Sequence, residues 1–281
     1  MTRLLTILLL LGLSSCTNSH RSDPPLLTQA NNDTVDAIQA FNHANWERAQ
    51  RLFKQALRQY QSIDDLSGIL QSYINLVELN LSQQHDVQAL DYLNKARMIA
   101  DDPTLFHYRS RLTYLYARCA LQQKQLAKAR ILLQGLLPDF KQNVASSKLT
   151  YIQLSALVSR VKLAFILNQD RVIWVGRLNN ALQKAENMPY LARLLRFQAI
   201  LQVEQHQVNQ AEQSLQQALK WYKQNLHRFG MAMTLYELGQ LYLNHLDKPK
   251  AKSYLVRSLN IFHALGDKPR QQQVKKILGY Q

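Results

Sequence analysis

The amino-acid sequence predicts an all-α fold: a solenoid of about six helix pairs closed by a C-terminal helix. Three observations lead there. A triplet of small, large and small residues recurs at a fixed spacing along the chain. Glycine and proline are scarce, 8 and 7 in 281 residues, which suits long helices. No run of alternating β-branched residues, the pattern of a half-buried strand, is present. With 47% hydrophobic residues the chain can bury a large core.

The triplet reads Ala49, Phe53, Ala56; then Ala89, Leu93, Ala96; then Ala129, Leu133 and Gly135, with Leu136 at the third place. It returns as Ala211, Leu215, Ala218 and as Ala251, Leu255, Ser258. Small residues suit places where helices cross closely, and large ones suit places where they interlock. First positions fall 40 residues apart over 49, 89 and 129, and again from 211 to 251. The gap of 82 between 129 and 211 holds one divergent repeat, Trp174, Leu178, Ala181. Five triplets at this spacing signal a repeated helical pair.

Taken in order, residues 1–16 carry Arg3 and then the apolar run Leu4–Leu13. Ten residues are too few to span a bilayer but suit the core of a signal peptide. The run ends in Leu13-Ser14-Ser15-Cys16, which resembles the bacterial lipobox. That resemblance implies lipidation of the Cys16 thiol, with the small residue before it fitting the peptidase. Acyl chains on one residue meet the requirement for stable anchoring. Thr17, where an Asp would favour inner-membrane retention, points to the outer membrane. Residues 17–33, polar and holding Pro24-Pro25, are expected to form an extended tether.

The solenoid is expected over 34–265. Repeat 1 pairs a short helix at 34–44 with 46–60, capped by Asn45. Repeat 2 pairs 65–83 with 86–100, with Asp86 as a cap. Asp101-Asp102-Pro103 opens repeat 3, helices 103–123 and 126–136, stopped by Leu137-Pro138. An irregular stretch, 138–146, follows. Repeat 4 covers 147–168 and 170–186, and Pro189 opens repeat 5 over 189–205 and 208–225. Repeat 6 covers 228–265. Gly266-Asp267 ends it and caps a last helix within 266–281, whose Lys and Gln face suits the open end of a solenoid.

The stretch 228–265 carries Leu235, Leu238, Gly239 and Tyr242 on its first helix and Ala251, Leu255 and Ser258 on its second. In that pattern the chain resembles the tetratricopeptide repeat (TPR) family. Its period of 40 exceeds the family's usual length of about 34 residues and resembles the longer-helix variants, such as those of kinesin light chains. The resemblance implies a right-handed superhelix with a groove lined by the first helix of each pair, which binds peptides or protein segments. Carried onto this chain, the outward groove positions are Arg111, Tyr114 and Arg118 in repeat 3, Arg193 and Arg196 in repeat 5, and Tyr236, Gln240 and Asn244 in repeat 6. Repeat 2 offers Gln71 and Glu78. Repeat 4 offers Ser159 and Leu163, or the adjacent Arg160 and Lys162 if its register is off by one. Arginine pairs bidentately with carboxylates and phosphates, and tyrosine adds contact area at low entropic cost.

No HExxH, GxSxG or phosphate-cradling glycine loop occurs, so no enzyme class is indicated. With Cys16 lipidated, Cys119 is the one remaining thiol, and it reads as a small buried residue. His85, His206 and His245 lie near helix-to-helix turns, too far apart to share a metal ion. Asp64-Asp65 and Asp101-Asp102 sit at helix starts, where capping accounts for them. The 34 Lys and Arg against 19 Asp and Glu, formally +15, favour acidic partners. Because the leader removes the protein from nucleic acid, the expected function is a non-catalytic adaptor without cofactor or metal. It would be lipid-anchored on the periplasmic face of the outer membrane, binding an acidic envelope protein or peptide segment. The alternative is a binder of an anionic envelope polymer or lipid, such as peptidoglycan or lipopolysaccharide. The groove arginines, as exposed charges, are expected to contribute little to stability.

Overall fold

A computed structural model describes residues 24–138, 149–183, 188–245 and 247–280. The leader, Cys16 and most of the 138–146 stretch lie outside the described residues. The helices are α1 (Pro25–Asn42), α2 (Trp46–Ser62), α3 (Leu66–Ser82), α4 (Asp86–Ile99), α5 (Arg109–Gln122) and α6 (Leu126–Leu136). They continue as α7 (Tyr151–Leu167), α8 (Arg171–Leu182), α9 (Met188–Glu204), α10 (Val208–Gln224), α11 (Arg228–His245), α12 (Lys248–Ala264) and α13 (Lys268–Leu278). A short 3-10 helix, Pro103–Tyr108, leads into α5. The described residues form an all-helical repeat solenoid of six helix pairs, α1–α2 to α11–α12, with α13 at its C-terminal end.

The recurring triplets are the seams of these pairs. Ala49, Ala89, Ala129, Ala211 and Ala251 are fully buried, as are Leu93, Leu133, Ala56, Ala96 and Ala218. Gly239 lets α11 and α12 approach closely, since a Cβ there would lie 2.6 Å from Leu255 Cγ. Ser258 keeps its small-residue role and satisfies its hydroxyl by donating to the Ala232 carbonyl oxygen at 2.8 Å. In repeat 4, Trp174 fills the place the other repeats give to alanine and is itself buried. Between repeats, Tyr60 lies over Gly68 and Tyr222 over Gly230, where a Cβ would come within 2.2 and 2.4 Å of the ring. In both cases the end of one pair is packed onto the bare start of the next.

Caps follow local sequence. Asn45 accepts from the Arg48 N–H, Asp65 from Gly68, Asp102 from Thr104 and Asp267 from Arg270. Gly266 takes φ +68° to turn the chain into α13.

Three expectations are corrected. The tether is not extended to residue 33: α1 begins at Pro25, a favoured first helical residue, and seats Ala30, Ala37 and Ala40 in the core. Asp86 does not cap α4. His85 holds the cap position without a side-chain bond, and Asp86 is the first helical residue, its carboxyl raised above the usual range by desolvation. The register in repeat 4 also shifts. Left-handed turn residues follow the first helices at Gln84, Lys124, Asn168 and His206. The step from Lys124 to Asn168 is 44 residues, not 40, and the turn carries a second left-handed residue, Asp170.

Candidate partner-binding groove

First helices of successive pairs touch one another: α3 meets α5, α5 meets α7 and α7 meets α9. Equivalent side chains therefore stack into rows along the inner face. Counting six residues back from each left-handed turn residue gives one such row: Glu78, Arg118, Lys162 and Ile200. The shifted register explains why Ser159 and Leu163 are not the outward positions of repeat 4. Leu163 is fully buried and Ser159 nearly so, whereas Lys162 is exposed. Arg160 is buried with its guanidinium 4.3 Å above the Trp174 ring, and burial depresses its pKa.

Most of the expected groove residues are coupled to the neighbouring repeat. Arg111 donates to Gln71 Oε1 at 3.1 Å. Arg118 is ion-paired with Glu78, and its guanidinium carbon lies 5.9 Å from the Tyr114 ring centre. Tyr114 shares a hydrogen bond with Ser159 Oγ at 3.4 Å. Arg196 grips Glu237 with two bonds, Nε to Oε2 at 2.7 Å and a terminal nitrogen to Oε1 at 2.5 Å. Burial works against the charge on Arg196, yet Glu237 more than offsets it and its pKa is raised. Arg118 is raised in the same way by Glu78. Tyr236 is not free for a partner: it is buried and accepts from Gln273 of α13 at 2.7 Å. Arg193 is exposed, 6.0 Å from the Tyr190 ring. Sequence reasoning missed Glu237; its signal is an acid 41 residues, about one repeat, after Arg196.

Lys162 differs from its neighbours. Among the described residues it has no carboxylate within ion-pair distance. It is open to water yet walled by protein, as a residue on the floor of a groove is. Desolvation first, then the charges of Arg270, Arg118, Arg193 and Arg196, hold its pKa below the ordinary lysine value. Those four arginines come from α5, α9 and α13, so the cap also contributes charge to this surface.

Next to this cationic floor lies a hollow of about 270 Å³ between α9 and α11. Ala199, Ile200, Val203, Leu215 and Leu241 give it an apolar lining, and the expected groove residues Gln240 and Asn244 are also on its wall. Glu204 and Glu237 belong to the same wall. Cys119 takes no part. It is buried, and desolvation pushes its thiol up to about 11. No helix among the described residues is long and apolar enough to cross a membrane.

An all-helical repeat solenoid with a charged inner face is the class of protein that these features define. A solved structure agrees with the fold. The chain is similar to aspartyl phosphate phosphatase F from Bacillus subtilis, with a TM-score of 0.62 and 13% identity over 89% of this chain and 68% of that one. It is also similar to BtubC (BKLC) from P. vanneervenii, with a TM-score of 0.48 and 16% identity over 87% of this chain and 93% of that one. No family model and no curated protein matches the sequence.

Proposed function

We propose that this chain is a non-catalytic adaptor that holds an acidic protein segment against its concave face while a lipid on Cys16 anchors it to the periplasmic side of the outer membrane. The observation that carries the binding reading is a pair of exposed cations without an ion-paired carboxylate, Lys162 and Arg193, beside Arg118 and Arg196, which have theirs. Such an arrangement favours an incoming anion more than it favours the free fold. The envelope part of the reading rests on Arg3, the apolar run and Leu13-Ser14-Ser15-Cys16.

Both parts are testable in cells. A photo-crosslinking residue at Gln240 should capture a discrete protein, and one at the exposed outer residue Gln217 should not. Retention on peptidoglycan or lipopolysaccharide without any protein crosslink would favour the polymer-binding alternative. Cys16→Ser should abolish fatty-acid labelling and leave the precursor uncleaved. Persistent labelling would refute the lipid anchor, and native protein in the inner-membrane fraction would refute the sorting argument.

A further inference from the structure

We propose that the outer face of α2 docks on the surface of an anionic phospholipid bilayer through Arg51, Lys54 and Arg58, so that the anchored solenoid lies against its membrane on a fixed side. This rests on the reading that Cys16 carries the lipid anchor. Docking by an outer face leaves the inner face free for its own ligand.

Arg51, Lys54 and Arg58 follow one another at i, i+3 and i+7, so they form one stripe along the helix. The stripe lies opposite the buried Ala49, Phe53 and Ala56; Arg51 and Arg58 are exposed and Lys54 is half-buried. Among the described residues none of the three has a carboxylate within ion-pair distance. The other repeats supply the comparison. The same positions are Asp91, Asn94 and Met98 on α4 and Ser253, Val256 and Asn260 on α12. Of the remaining second helices only α10 has a charge there, Lys220. The stripe is therefore a property of α2 and not of the repeat. Of the carboxylates on α1 and α2, Asp33 accepts from Gln55 at 2.9 Å and Asp36 is ion-paired with Arg48 at 3.8 Å. That leaves Glu47 against three cations. Lys54 and Arg58, four residues apart, repel each other on the free helix. An anionic surface would supply the counter-charge.

The place of the anchor selects a bilayer as that surface. α1 begins at Pro25, and its first turns lie beside the end of α2, where the Tyr60 hydroxyl donates to Asn31 Oδ1 at 2.7 Å. Cys16 and Pro24 are eight residues apart, a span of about 26–29 Å at full extension. An anchor at Cys16 holds this end of the solenoid within that span of the headgroups. α2 has 17 residues and measures about 26 Å, short enough for its whole stripe to lie down on the same surface. Leu26, 46% exposed in the first turn of α1, adds an apolar side chain at the anchored end. Each Lys or Arg near an anionic leaflet strengthens attachment by roughly fivefold. The attraction fades beyond about 8–10 Å, so the stripe acts only when α2 lies flat.

The test uses the mature chain as cells produce it, with a donor fluorophore on Glu47→Cys at the end of α2 far from the anchor; Cys119 is buried and stays unlabelled. Vesicles of POPC alone, or of POPC and POPG in equal parts, carry a trace of acceptor-labelled headgroup. Energy transfer should rise at least about twofold with POPG and fall back in high salt. Arg51→Gln, Lys54→Gln and Arg58→Gln together should remove the POPG effect and leave the melting temperature unchanged, since exposed charges contribute little to stability. Arg51→Lys with Arg58→Lys should keep it. Transfer that ignores POPG, or that persists in the Gln variant, would overturn the proposal. A clear fall in the melting temperature of the Gln variant would make the stripe part of the fold and overturn it too. A photo-crosslinking residue at Glu47 that captures a protein in cells would give the stripe to an acidic protein instead of the bilayer. If the chain floats with POPC vesicles but shows no POPG effect, this inference fails and the anchor stands. If it floats only with POPG, the anchor reading fails and the stripe stands. If it floats with neither, both fall.

Discussion

The indole Nε1 of Trp46 donates to the carbonyl oxygen of Leu265 at 3.1 Å, across 219 residues of sequence. It ties the start of the second helix to the turn that ends the twelfth. Two further bonds lie beside it: Arg228 to the His43 carbonyl at 3.1 Å and Gln84 Nε2 to Asp267 Oδ1 at 3.3 Å. The superhelix has therefore come round far enough for its first and last repeats to meet. That closure is why the charge of Arg270 in the cap bears on Lys162 in the fourth repeat.

The clasp is thin, so it should open at small cost. Each hydrogen bond contributes about 0.5–1.5 kcal/mol net. Trp46→Phe with Arg228→Gln should lower stability by no more than about 3 kcal/mol. Spin labels at the exposed residues Glu47 and His263 should show a longer and broader distance distribution in that double variant. An unchanged distribution would show that packing, and not these bonds, brings the ends together.

The inter-repeat ion pairs overturn the expectation that the groove arginines are neutral to stability. Arg196 and Glu237 are only 16% and 15% exposed, so Arg196→Gln leaves a buried carboxylate and should cost about 3 kcal/mol in urea unfolding. Arg118 and Glu78 are 27% and 28% exposed, and screening reduces that pair to about 1 kcal/mol. Arg118→Glu should destabilise by more, through repulsion, and adding Glu78→Arg should restore most of the loss. Failure of the exchange to rescue would mean that the two side chains do not act on each other.

His227 makes stability depend on pH. Its Nδ1 accepts the Gly230 N–H at 2.9 Å at the start of α11, which requires an unprotonated nitrogen. Burial first, then Arg193 and Arg196, depress its pKa below the usual 6.5. The unfolded chain therefore binds the proton more readily. The contribution of His227 is complete above about pH 7 and is lost progressively as pH falls through the unfolded value towards the folded one. Melting temperature should drop between pH 7 and 5. His227→Asn, which keeps an acceptor at the cap, should flatten that part of the profile. An equal drop in the variant would assign the effect to other groups.

The register of the seams can be checked by overpacking. Ala89→Leu, Ala211→Leu and Ala251→Leu should each cost about 1–3 kcal/mol, because all three alanines are fully buried. The matched control is Gln217, which is exposed; Gln216 is unsuitable because it is partly buried and donates to the Tyr254 hydroxyl at 3.0 Å. Gln217→Leu should stay within about 0.5 kcal/mol. Similar melting shifts at the two kinds of site would refute the alignment of the repeats.

The helices, their pairing and their caps were legible in the chain because they depend on neighbours a few residues away. Asn45, Asp65, Asp102 and Asp267 cap within three residues, and the Ala–Leu–Ala triplets mark a seam between adjacent helices. The row that carries the groove was legible in part. Arg118 and Glu78 lie one 40-residue period apart, so stacking brings them together. Repeat 4 broke the count, since its step is 44 residues, and the exposed position proved to be Lys162, the alternative for a register one residue off, and not Ser159 or Leu163. Tertiary structure alone decided that Tyr236 lies beneath the cap, that Trp46 meets Leu265, and that cations from α5, α7, α9 and α13 bear on one surface. Tyr236 meets the cap only 37 residues on, through the packing of α13 on the last pair. The meeting of Trp46 with Leu265 arises from the accumulated rotation of the helix pairs, and a rotation summed over more than two hundred residues leaves no mark on any local pattern.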